Sequence, residues 1–400
     1  MTESSSPGAD AVVRPHSLAE RDFAALARGG GGVGAVRALV AARRSRTLLL
    51  LRFVVGADAS AREAFEVLAE VQRIAPDAVE RVLDHPAVSA WATRTAVALA
   101  RGSGARPAEL AHIAAAAALR AGLDVSLDFP AAQGFALPSL GIVDQPVSGV
   151  WPVDRLVWRP TPEIAVGDGV VFQLDRWNGV PEVLRVEPRF DVGRWRDAIA
   201  EGWELLARKH SEVAREFAAA VAVLTPLRSA ADGMSSATLA DAFGCVFLSL
   251  GPDARSVAVT LAHELQHTKL VALMDLFPLL RPDSGERFYA PWRDDPRPLA
   301  GLLHGTYAHL GVAGFWRRER DHDAEGGDVG AHVEFARWRA AALDTTATML
   351  GSGRLTATGQ EFVTGMAEVL AGWAAEPVPP AALELAMARA DEHRRLATAP

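Results

Sequence analysis

Residues 256–277, SVAVTLAHELQHTKLVALMDLF, constrain the chain most, because a run this apolar has to be buried and yet carries two imidazoles and a carboxylate at its centre. Val257, Val259, Leu261, Leu265, Leu270, Leu273 and Leu276 recur mostly at spacings of three and four, which predicts a helix with an apolar face. His263 and His267 are four apart, so on that helix they lie one turn apart on one side, placed to share a metal ion. Glu264 projects about 100° away, toward whatever the metal binds. The alternative is a pair of core histidines meeting by chance in an Ala/Leu-rich helix. Two imidazoles and a carboxylate interrupting a run of this character are costly to bury without a ligand or hydrogen-bond partners, and this favours the metal site.

The rest of the composition limits what such a site can be. Cys245 is the single cysteine, so an internal disulfide and a thiolate-rich metal site are excluded, and histidines and carboxylates remain as ligands. A net charge of −8 argues against a nucleic-acid partner. No apolar run reaches the roughly 20 uncharged residues of a spanning helix. The opening MTESSSPGAD lacks the basic-then-apolar pattern of a secretory signal, so a cytoplasmic protein without a membrane partner is expected.

Along the chain, residues 1–16 read as a disordered tail and 17–123 as a helical bundle, with further helices near 77–101 and 107–122. The glycine run at 29–34 lacks the Gly-Lys-Ser/Thr ending of a phosphate loop and follows no strand, so a flexible turn is expected. His85 and His112 are lone histidines on helices and read as structural. Residues 124–400 form the α+β catalytic region. Within it, segments 169–174 and 181–186 read as short strands and 192–224 as one long amphipathic helix. After a turn at 226–236, an apolar strand at 242–250 runs into the metal helix and offers an edge for an extended peptide. A loop rich in proline and charge at 281–298, with Tyr289, Trp292 and arginines, reads as functional. Helices follow at 299–315, carrying His304 and His309, then at 333–350, 359–373 and 379–396. The expected fold is mainly α, of the α+β class: an N-terminal helical bundle, a small central sheet and a C-terminal helical metal-binding half.

Two histidines do not complete a catalytic site, which needs a third protein ligand. The metzincin pattern fails, because Leu270 and Leu273 stand where its glycine and third histidine would be. The gluzincin pattern fails as well, since Glu334 is followed four residues later by Trp338 and Glu361 by Gly365. The nearest suitable group on a structured apolar element is His304, with His309 second. These two are five apart, about 140° around a helix, so at most one of them is expected to face the metal.

The blocks SSATLADAFGCVFLSL, VAVTLAHELQHTKL and RFYAPWRDDPRPLAGLLHGTYAHLGVAGFWRR together resemble the HExxH-motif proteins of bacterial ribosomal-peptide (RiPP) modification clusters. That family is understood as iron(II)- and 2-oxoglutarate-dependent peptide β-hydroxylases rather than proteases. The resemblance is tight over about residues 235–320 and looser over the helical N-terminal part. It implies iron on His263 and His267 with His304 as third ligand, 2-oxoglutarate and dioxygen as co-substrates, and a precursor peptide as substrate. The implied reaction is decarboxylation of 2-oxoglutarate to succinate coupled to β-hydroxylation of a peptide residue. Non-haem iron oxygenases usually include one carboxylate ligand, so Asp294, Asp295 and Glu264 stay as alternatives to a third histidine. The second carboxylate of 2-oxoglutarate calls for a guanidinium, and Arg297 and Arg293 lie in the specific loop, where a surface ion pair with Asp294 or Asp295 is the competing role. Lys269 points off the metal face. A zinc metallopeptidase with Glu264 as general base is the alternative function, and a catalytically silent peptide-binding protein a third.

Overall fold

Residues 16–176, 180–229, 234–320 and 329–397 are described by a computed structural model, so the tail expected at 1–16 lies outside the described residues except for His16. The apolar run is a single helix that starts at Ala254, where the side chain of Asp253 accepts from the Ser256 N–H at 2.7 Å, and ends before Pro278. In chain order the helices are α1 (Glu20–Ala27), α2 (Gly32–Ala57), α3 (Arg62–Ile74), α4 (Pro76–Leu83), α5 (Pro86–Arg101), α6 (Leu110–Ala121), α7 (Val192–Lys209), α8 (Ser211–Ala220), α9 (Ala254–Leu276), α10 (Leu299–Glu319), α11 (Val329–Gly351), α12 (Ala357–Ala374) and α13 (Pro380–Ala397). The strands are short: β1 (Ser126–Ala132), β2 (Phe135–Leu137), β3 (Gly141–Val143), β4 (Val147–Pro152), β5 (Trp158–Pro160), β6 (Glu163–Gly167), β7 (Val170–Leu174), β8 (Val223–Pro226), β9 (Ser236–Ala237) and β10 (Cys245–Leu248). The protein is thus mainly α with small sheets, as its sequence predicts. Among the described residues no helix is long and apolar enough to cross a membrane.

The sheet that supports α9 has the order β6-β7-β8-β10-β9, with β7, β8 and β10 parallel and the two outer strands antiparallel to their neighbours. Along β10, Val246 and Leu248 pack with α7, α8 and α9, while Cys245 and Phe247 pack on the other face with Ala90 of α5. Both faces are covered, so this strand is apolar throughout. On its far side α9 packs against α10. Gly311 makes that approach possible, since a Cβ there would lie 2.6 Å from Cγ of Gln266.

Several local expectations are corrected. The helix expected at 192–224 breaks at His210, whose buried ring meets the buried carboxylate of Glu319 at 3.1 Å, and its last residues become β8. The helix expected at 77–101 is divided at Pro86, which cannot continue the preceding helix's hydrogen bonds. Segment 181–186 is a 3-10 turn at Glu182–Leu184 followed by one bridge from Val186 to Leu227, rather than a strand. Part of the turn expected at 226–236 falls on residues 230–233, outside the described residues, and its flanks carry β8 and β9.

The glycine run is clamped rather than flexible. Lys269 Nζ donates to the carbonyls of Gly29 and Gly30, both at 2.9 Å, and to Glu216 at 2.8 Å, while the other oxygen of Glu216 accepts from Gly32 N–H. Nor do the cores divide at residue 123. Phe23, Leu26, Ala35 and Leu39 of α1 and α2 pack with Leu270 and Leu273 of α9, whereas Leu51 and Val54 at the other end of α2 pack with α3 to α6 and with β1 to β4.

Candidate metal centre

His263 and His267 leave α9 on the same side, with their Nε2 atoms 3.0 Å apart and their ring centres 4.7 Å apart. Two ligands bound at about 2.1 Å and meeting at a right angle stand about 3.0 Å apart, against about 3.4 Å at the tetrahedral angle. The spacing also allows one ring N–H to point at the other ring's lone pair. The ligand atoms of His263, Glu264 and His267 all lie within 4.8 Å of one another. Glu264 is buried: one oxygen accepts from the Thr238 hydroxyl at 2.6 Å and the other stands 3.8 Å from Nε2 of His263.

Helix α10 supplies two further imidazoles. The ring of His304 lies 5.8 Å from that of His267, and the ring of His309 lies 5.4 Å from that of His263, centre to centre. Each flanks a different member of the pair, and neither belongs to the group that His263, Glu264 and His267 form. Their settings differ. His309 is buried, stacked on Trp292 at 4.5 Å and packed against Trp338, and its Nδ1 lies 2.8 Å from the Gly305 carbonyl. A carbonyl accepts only, so Nδ1 carries the proton and Nε2 keeps its lone pair. His304 is half-buried and its ring has no hydrogen-bond partner among the described residues.

Electrostatics keep these rings neutral. Burial lowers the pKa of His263, with Glu264 opposing it. His267 is pushed well below the usual imidazole range by burial and by the neighbouring rings of His263, His304 and His309. Burial alone lowers His304. His309 is lowered to about 3, mainly by burial and then by His263, with the Gly305 carbonyl opposing. Neutral imidazoles with available lone pairs are the form that binds a cation, so the donor set suits a divalent metal at neutral pH.

No protein-family model matches the chain, and no curated protein is similar to it.

The loop at 281–298 is ordered against the site. Phe288 and Arg297 exchange main-chain hydrogen bonds of 2.8 Å, Tyr289 meets His393 of α13 at 2.8 Å, and Trp292 reaches the His309 ring. Gly305 is required for that reach, because any Cβ there would collide with the Trp292 indole. Arg293 and Arg297 both pair with the exposed Asp295, at 3.3 and 2.9 Å, the competing role foreseen for them. Asp294 is fully exposed and stands 4.0 Å from His393. Lys269 is off the metal face as expected, in its buried ion pair. Sequence reasoning missed Thr238, which holds Glu264, and Arg337, which stacks on Trp338 at 4.3 Å and whose charge acts on His309. Neither carries a spacing signal, since each reaches the site from a different element.

Proposed function

We propose that the protein is an iron(II)- and 2-oxoglutarate-dependent oxygenase that β-hydroxylates a residue of a ribosomally synthesised precursor peptide. The observation that carries this reading is the grouping of the His263, Glu264 and His267 ligand atoms within 4.8 Å on one helix, with the His304 ring 5.8 Å from that of His267. The sequence blocks that resemble the peptide β-hydroxylases support the same reading. His263, His267 and His304 would hold the iron, which when bound supplies the activation of dioxygen with 2-oxoglutarate as co-substrate. His304 is the freer ring, with no other hydrogen bond to give up. His309 is the second reading for this position, because its bond to Gly305 is the kind that commonly fixes the orientation of a metal-binding imidazole.

The chain's own residues then have separable tasks. Glu264 keeps one oxygen on Thr238 and the other beside His263, so it orients the cluster and holds a proton or water there. Trp292 and Trp338 wall the site and exclude bulk water on the His309 side. Arg297, with Arg293 beside it, takes the far carboxylate of 2-oxoglutarate in exchange for Asp295.

The deciding experiment supplies the protein with Fe(II), 2-oxoglutarate, oxygen and its peptide. The expected product is a peptide heavier by the mass of an oxygen atom, uncleaved, with succinate formed. In a zinc peptidase Glu264 would be the general base, and Glu264→Gln would abolish turnover with metal still bound; as an orienting group its loss costs about 10 to 100-fold. Cleavage with zinc, independent of 2-oxoglutarate and lost in Glu264→Gln, would establish the peptidase instead.

A further inference from the structure

We propose that the outer edge of β9 is a docking strand, which takes an extended segment of the substrate peptide as a sixth strand of the sheet beside the metal centre. The inference rests on the reading of the protein as a peptide-modifying enzyme and supplies what that reading lacks, a surface that takes a main chain. β9 is the last strand of its sheet and pairs antiparallel with β10, Ala237 opposite Phe247 and Ser236 opposite Leu248. One register position further, the Ser249 N–H donates to the Ser235 carbonyl at 2.8 Å. Antiparallel ladders alternate, so Ser235 and Ala237 turn their main-chain groups toward β10, and Ser236 turns its N–H and C=O outward. Thr238 follows directly on the strand. Outside the β9–β10 ladder, no main-chain hydrogen bond of Ser236 or Thr238 is present among the described residues.

Open edges are normally protected by charge, proline or a covering element. Residues 234–240, MSSATLA, contain neither charge nor proline, and Ser236 is exposed. The position of this edge gives it a use. The Thr238 hydroxyl bonds to Glu264, whose other oxygen stands beside His263, so the strand ends at the cluster. A chain paired on β9 at about 4.8 Å would pass next to it, with alternate side chains on the same side as the Thr238 hydroxyl. Alternating outward donors and acceptors are complemented by an extended peptide main chain, which selects a peptide over a small molecule.

The binding measurement needs neither iron nor 2-oxoglutarate. Random dodecapeptides displayed on their own mRNA are selected against the full-length protein, and the winning peptide, made synthetically, is the probe. Single N-methylation along that peptide should weaken binding about 10-fold at every second residue and by less than about 2-fold between them, the signature of strand pairing. Ser236→Pro, which deletes the outward N–H, should weaken the same peptide comparably while circular dichroism and metal binding stay unchanged. If N-methylation acts without a two-residue period, or if Ser236→Pro binds as the wild type does, the docking strand is wrong. If strand pairing holds but the protein's own precursor peptide gains no oxygen with Fe(II), 2-oxoglutarate and oxygen, the oxygenase is refuted and the docking strand stays in place. A peptide that is oxidised yet indifferent to both perturbations would do the reverse.

Discussion

Lys269→Met tests whether the clamp behind α9 carries stability. The Lys269 side chain is 1% exposed and its partner Glu216 6%, so both charges are out of water. Burial lowers the lysine's pKa while Glu216 opposes the shift, which is why the charge depends on its partners. Methionine fills the same space but leaves the Gly30 carbonyl and one oxygen of Glu216 without a donor, while the Gly29 carbonyl keeps its bond from Gln266. Removing one member of a buried pair typically costs about 3 to 5 kcal/mol, mostly from stranding the other charge. Lys269→Met/Glu216→Gln removes the stranded charge and keeps an acceptor for the Gly32 N–H, so it should recover about 1 to 3 kcal/mol of that loss. Urea unfolding followed by tryptophan fluorescence reads both, with the midpoint moving at unchanged slope. A single variant that loses less than about 1 kcal/mol, or a double variant no more stable than the single, would refute the reasoning.

Further outcomes follow from the site. His263→Ala and His267→Ala should each abolish iron binding with the fold retained, and full occupancy by elemental analysis in either would remove the metal site. His304→Ala should lose activity and most of the iron while His309→Ala is milder; the reverse order assigns the third position to His309. Arg297→Ala should raise the 2-oxoglutarate requirement more than the peptide requirement in initial-rate measurements, and an equal effect on both would free Arg297 of that role. His112, stacked on Phe135 at 4.0 Å, is pushed by burial from 6.5 to about 4. The unfolded chain therefore takes up this proton first as pH falls, so the stability is full above about 6.5 and drains away toward pH 4, by about 3 kcal/mol in total. His112→Phe should flatten the pH dependence of the urea midpoint across that window, and an unchanged slope would contradict the shift.

The readability of the chain follows what is periodic in it. α9 and α10 are legible because a face of valines and leucines repeats every three or four residues, and the pair of His263 and His267 is legible because four residues make one turn. β8 is buried at every position, so it has no alternation to announce it and reads as the tail of a helix. The break at His210 depends on Glu319, more than one hundred residues away, and no local pattern contains that partner. Thr238 is hidden for the same reason: one threonine in an uncharged stretch becomes a support for Glu264 only when the edge strand comes to rest on α9.

α2 has a consequence for dividing the protein. Its 26 residues, about 39 Å of helix, run through both cores without a joint. A fragment of residues 124–400 would contain all four clustered histidines and still be a poor miniature of the protein. It would lack Phe23, Leu26 and Leu39, which cover α9, and the two glycine carbonyls that receive Lys269. The place where the sequence changes character is therefore not a seam along which the molecule comes apart, and swaps with other chains should carry α1 and α2 along with the half that holds α9.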